Sequence, residues 1–153
     1  MILSTHALVG AALGKNLENP WLIVILCPIV HFALDSFRHG EYIDHREKLK
    51  NLGRNVALDI FAGGSIILSV LFFQDWELIT IRNVFLGILF CLLPDFLTLI
   101  HYRFTSSKIL KKIYRFHQRV HPYPHPSKQT QWNLRNAVND ILFSLAAVLF
   151  LIF

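Results

Sequence analysis

TIRNVFLGILFCLLPDFLTLIHY, residues 80–102, is the stretch on which the reading of this chain turns. Only Arg82 and Asp95 carry a formal charge in it. At a rise of about 1.5 Å per residue it forms a helix of about 35 Å, longer than the hydrocarbon core of a bilayer at about 30 Å. A carboxylate is costly in lipid, so a helix that keeps Asp95 at such depth must turn it toward protein.

Working outward, four more apolar segments flank this one, at about 4–15, 20–37, 54–73 and 132–153. The first is short and reaches only partway through a bilayer. The second opens on Pro20-Trp21, a proline at a helix start. Hydrophobic residues make up 54% of the 153-residue chain and charged ones 16%, with a mean hydropathy of +0.45. Soluble domains carry about 25% charged residues, so little of this chain is built for water. The expectation is an all-α fold: one integral membrane domain over 1–153, a bundle of about five helices with an amphipathic helix on its cytoplasmic side. No positive leader or small-residue cleavage site is read at the start, so no cleavable signal peptide is expected. Cys27 and Cys91 fall inside apolar runs and read as small core residues rather than a disulfide or a zinc pair.

Orientation follows from Lys and Arg. Thirteen of the fifteen lie at 38–54 and 102–135, leaving only Lys15 and Arg82 for the other two connections. Basic connections stay inside, which gives a multi-pass membrane protein with its N-terminus cytoplasmic and Phe153 outside; the cell inner membrane is the location implied by the resemblance given below. Trp21 and Trp76 would then stand at the outer interface and Trp132 at the inner one. In 107–121, Ile109, Leu110, Ile113, Phe116 and Val120 alternate at helical spacing with Lys108, Lys111, Lys112 and Arg115. That pattern is an amphipathic helix lying on the membrane and drawn to anionic lipid. Topology accounts for the net charge of +5, so no nucleic-acid partner is inferred.

On this map His6, His31, Asp35, Asp59, Asp95 and Asp140 all fall within about 3–12 Å of the cytoplasmic face. Five helices contribute an ionisable residue at similar depth. The faces agree: His31 and Asp35 are four apart, and His39 extends their stripe. His6, Gly10 and Gly14 share a face whose small residues let another helix approach closely, turning His6 inward. Gly87, Cys91, Asp95, Thr98 and Tyr102 form a stripe on the fourth helix. Asp59 pairs with Gly63 on the third, and Asn136, Asp140 and Ser144 align on the last. Buried carboxylates must pair, protonate or bind a cation. His and Asp together suit Zn²⁺, Mn²⁺ or Fe²⁺. The candidate ligands of one or two divalent ions are therefore His6, His31, Asp35, Asp59 and Asp95, with His39 in addition, and the first five are also the candidate catalytic residues. The alternative is a set of His–Asp and Asn–Asp hydrogen bonds that only hold helices together. His45 reads as solvated, His101 as facing headgroups, and His117 and His121 as interfacial residues that could also cover the site or lend it a ligand. Pro28 and Pro94 each loosen a helix beside an ionisable residue.

Thr5-His6-Ala7-Leu8-Val9-Gly10, His31-Phe32-Ala33-Leu34-Asp35 and Leu92-Leu93-Pro94-Asp95 together resemble motifs of the bacterial and archaeal inner-membrane proteins described as membrane-bound metal-dependent hydrolases. Here His-x-x-x-Asp precedes Leu-Pro-Asp. The resemblance implies a divalent-metal cofactor and hydrolysis of a phosphoester or ester; a site at headgroup depth adds a lipid or lipid-linked substrate. Two other readings stand beside it. Phe116-His117-Gln118-Arg119-Val120-His121 resembles one histidine box of the membrane di-iron hydroxylases. A non-enzymatic bundle that handles ions, or is stabilised by a metal, needs only the buried His and Asp.

Overall fold

The computed structural model describes residues 1–40, 49–121 and 133–153. All regular structure among them is helical: α1 (Leu3–Asn16), α2 (Pro20–Asp35), α3 (Leu49–Phe73), α4 (Leu78–Arg103), α5 (Lys108–Val120) and α6 (Leu134–Ile152). Trp132, His45 and the Pro122–Pro126 run with His125 lie outside the described residues. Three stretches are long and apolar enough to cross a membrane, Gly53–Phe73, Leu78–Tyr102 and Leu134–Ile152. The bundle of about five spanning helices is therefore met only in part. α1 and α2, with 14 and 16 residues, run about 21 and 24 Å, short of spanning on length alone.

The short α1 is the centre of the molecule. It packs against α2, α3, α4 and α6, and ten of its fourteen residues are buried. Its sequence explains the position, because Ala7, Gly10, Ala11, Ala12 and Gly14 leave room for helices on every side. Gly10 and Gly14 meet α4 at Gly87 and Asn83: a Cβ on Gly10 or Gly87 would strike the other's backbone carbonyl, and one on Gly14 would strike that of Asn83. On another side of α1, a Cβ on Gly63 of α3 would come 2.8 Å from Ser4 Cβ. The small-residue stripe thus does what its spacing implies.

Large apolar side chains point the other way. Ile25 and Ile29 of α2, Phe61 and Leu68 of α3, Phe85 and Leu89 of α4, and Leu142 and Leu145 of α6 are all exposed, while His6, His31, Asp35, Asn83, Asn136 and Asp140 are buried. A buried polar group beside an apolar core, under an outer surface of large apolar side chains, departs from the distribution of a soluble domain and is what a lipid-facing bundle presents.

α5 packs along α4 and touches α2. Lys108, Lys111, Lys112, Arg115 and Arg119 are exposed along it. Its inward residue is His117, 3% exposed, and this side chain carries α5 into the polar interior.

Candidate metal centre

The polar residues gather at one end of the bundle, around the start of α1. Ile2, which precedes α1, offers no side-chain cap, so the first amides of this helix need partners from elsewhere. Leu3 N donates to Asp59 Oδ2 at 2.7 Å and Ser4 N to Asp59 Oδ1 at 3.3 Å. Ile2 N donates to Asp140 Oδ1 at 3.0 Å, and the Thr5 hydroxyl lies 3.5 Å from the same oxygen. Carboxylates from α3 and α6 thus cap α1, where its dipole favours negative charge.

Asp35, at the last turn of α2, is the hub of the remaining groups. Its Oδ1 accepts from the Met1 amine at 2.6 Å and lies 3.1 Å from His6 Nε2. Its Oδ2 lies 3.1 Å from His31 Nε2, 2.9 Å from His117 Nε2 and 3.7 Å from His121 Nε2. Asp95 comes in from α4, with Oδ1 3.9 Å from His31 Nε2 and 3.7 Å from His117 Nε2. The two Nε2 atoms are 3.4 Å apart.

Tautomers decide what this cluster can do. His31 Nδ1 lies 2.8 Å from the Cys91 carbonyl, which can only accept, so that nitrogen holds the proton. His117 Nδ1 lies 2.9 Å from Thr98 Oγ1, and Thr98 gives its own proton to the Pro94 carbonyl at 3.1 Å. His117 Nδ1 is therefore a donor as well. In the neutral imidazoles both Nε2 atoms carry lone pairs, and these converge with one oxygen from each of two carboxylates. Two imidazole nitrogens and two carboxylate oxygens facing one point could hold a cation, and this hydrogen bonding through the far nitrogen is the support that metal-ligating histidines usually have.

The spacing fits. Four ligands at about 2.0–2.1 Å from a tetrahedral ion stand about 3.3–3.4 Å from one another. The measured separations in this group run from 2.9 to 3.9 Å, and all four ligand atoms lie within 4.8 Å of one another. Asp95 Oδ2 is buried with no hydrogen-bond partner among the described residues. A second, smaller group shares the hub: Asp35, His39 and His121. His39 Nδ1 donates to the Phe37 carbonyl at 2.7 Å, so in a neutral ring Nε2 is the acceptor nitrogen.

Of the six residues expected as ligands, the fold brings His31, Asp35 and Asp95 into one group and places His39 with Asp35 in the other. His6 is adjacent but differently engaged. Its Nε2 donates to Asp35, its ring stacks on His31 at a centroid distance of 4.1 Å, and its Nδ1 has no partner among the described residues. It stands beside the group of four and outside it. Asp59 is apart, bound to the amides of Leu3 and Ser4. The fourth member of the group is His117, which the sequence reads first as interfacial and second as a residue that could lend a ligand; His121 lies one turn further along, in the second group. The signal was their four-residue spacing on a helix otherwise free of acidic groups.

No family model, no curated protein and no solved structure matches this chain.

Proposed function

We propose that this chain is a membrane-embedded, metal-dependent hydrolase whose divalent ion is held by His31, Asp35, Asp95 and His117. The observation that carries the reading is the convergence of two Nε2 lone pairs with two carboxylate oxygens, each imidazole fixed through its other nitrogen. A divalent ion bound there would activate water and polarise an ester or phosphoester oxygen. The chain's own contribution is to hold the ligand set. Thr98 and the Cys91 carbonyl set the tautomers, His6 steadies Asp35, and Asp95 Oδ2 is placed to take a proton. Sharing of Asp35 with His39 and His121 makes room for a second ion. The motifs of the membrane-bound metal-dependent hydrolases point the same way, and Zn²⁺, Mn²⁺ and Fe²⁺ all suit this donor set.

The substrate we propose is a lipid or lipid-linked phosphoester or ester in the inner leaflet. The excess of Lys and Arg in the connections at this end supports a position at the cytoplasmic face of the inner membrane. Each exposed Lys or Arg of α5 adds about 1 kcal/mol of attraction to anionic lipid. Single-cysteine reporters at Lys112 and Asp75 test the orientation: the first should label only from the cytoplasmic side and the second only from outside, and the reverse pattern would move the site to the other leaflet.

A second reading is favoured by the Met1 amine and His6 on Asp35. Those contacts suit a metal-free, hydrogen-bonded fastening of helices. Elemental analysis of detergent-purified protein separates the two, since the hydrolase reading requires near-stoichiometric transition metal. The metal-loaded protein is then assayed against phospholipids and lipid-linked phosphates in mixed micelles, with mass spectrometry of the products. Chelator-sensitive cleavage is the expected result. A folded parent without metal sinks the metal-centre reading. Loaded protein that cleaves nothing leaves the ion-handling bundle as the better account, while tightly bound iron with oxygen consumption would favour the hydroxylase.

A further inference from the structure

A cleft of about 440 Å³ runs beside the metal centre, between α1, α2 and α6. Val9 and Leu13 of α1 form its floor, Val30 and Leu34 of α2 one wall, and Phe143 and Ala146 of α6 the other. The backbones of α2 and α6 stay apart. Among the described residues, contacts join the segment past the end of α2 to α6 at the centre's end. There the Phe37 and Phe143 rings meet at 5.2 Å, Arg38 Nε donates to Asn136 Oδ1 at 2.7 Å, and Asn139 Nδ2 donates to the Arg38 carbonyl at 2.6 Å. At the far end Asn16 Nδ2 and Lys15 Nζ donate to the Phe150 carbonyl at 3.0 and 3.3 Å. These contacts bound the cleft at its two ends, and Ile29 and Leu142, next in sequence to lining residues Val30 and Phe143, are exposed on the outer surface.

We propose that this cleft is a binding site for one acyl chain of a phospholipid, entered sideways from the bilayer. Water is a poor occupant. The only polar lining residue is Asn16, whose amide is already committed to the Ala12 and Phe150 carbonyls, and a buried water needs two to four polar partners. The medium around a bundle with this outer surface is hydrocarbon, so hydrocarbon fills the gap.

The position ties it to the site. Leu34 lines the cleft, and the next residue is Asp35, about 3.8 Å along the backbone. A chain lying in the cleft therefore carries its head group to the level of the hub. From Phe143 to Phe150 the slot is about 10 Å deep, so its bounded far end admits only the first part of a long chain. The assignment of that lipid as substrate rests on the hydrolase reading. Occupation of the cleft does not.

The test uses the full-length protein in bilayer nanodiscs containing a phosphatidylglycerol with a diazirine midway along one acyl chain. After irradiation, mass spectrometry should find labelling at Val9, Leu13, Phe143 and Ala146 at least five-fold above that at lipid-facing Leu145 and Leu89. Ala146→Trp fills the cleft from an exposed position and should cut that labelling at least five-fold, whereas Leu145→Trp should leave it unchanged. Val30→Phe is the second filling variant should the first fail to fold. Labelling spread evenly over cleft and lipid-facing residues, or indifferent to both filling variants, overturns the proposal. Metal content is measured on the same samples. A metal-free protein that labels selectively loses the hydrolase reading alone, and a metal-loaded one that labels evenly loses the cleft alone.

Discussion

His117→Ala is expected to strip the centre of its ion, weakening metal retention at least about 100-fold, more than loss of a supporting outer group does. Turnover should fall to background with it. The residue supplies one of four converging ligand atoms, and it is the one brought by α5. Asp35→Asn should have the same effect with less risk to folding, because it keeps the volume while removing the charge shared by both groups. The informative contrast is Asp59→Asn. Asp59 holds the Leu3 and Ser4 amides, so its loss should cost about 1–3 kcal/mol of stability and leave metal content unchanged. Metal analysis and thermal unfolding of the three variants side by side check the assignment. Loss of metal from Asp59→Asn with retention in His117→Ala would reverse it.

Gly87→Val should be the most damaging apolar substitution in the molecule. Its Cβ would strike the Gly10 carbonyl, which is backbone and cannot turn aside. The cost is about 3 kcal/mol or more, at the upper end of overpacking effects. Because α1 and α4 carry His6 and Asp95, their separation should also weaken metal binding. Gly64→Val makes the opposite forecast, since nothing lies within 4 Å of its added Cβ, and it should fall within about 0.5 kcal/mol of the parent. Denaturation in mild detergent reads both. Equal losses would mean that the α1–α4 approach does not limit stability.

Much of the fold was legible because a membrane helix announces itself by length and apolar content. The segments near 54–73 and 80–102 match α3 and α4 closely, and Gly10, Gly14 and Gly87 foretold the tight face. Less legible was that α1, placed at the edge of the sequence, occupies the centre of the structure. Its small residues carried that information, but its brevity suggested a partial crossing instead. The site was legible as depth and not as direction. Asp59, Asp95 and Asp140 fall at one level, yet only Asp95 turns to His31, because the bare amides of α1 claim the other two. That demand arises from Ile2 standing where a capping side chain usually does. His117 was read first as interfacial, with a ligand role only second, because the positive charges around it already had an explanation in topology. A helix can lie on a membrane with its lysines and still send one histidine inward, and charge pattern alone does not distinguish the two uses.

The borrowed caps of α1 have a consequence for how the protein is made. α1 leaves the ribosome before α3 and α6, and until Asp59 and Asp140 arrive its first amides lack the partners they have in the finished fold. With five glycine and alanine residues facing neighbours and a length short of the bilayer, it has little reason to settle in lipid alone. Its final seat therefore waits on the last helix.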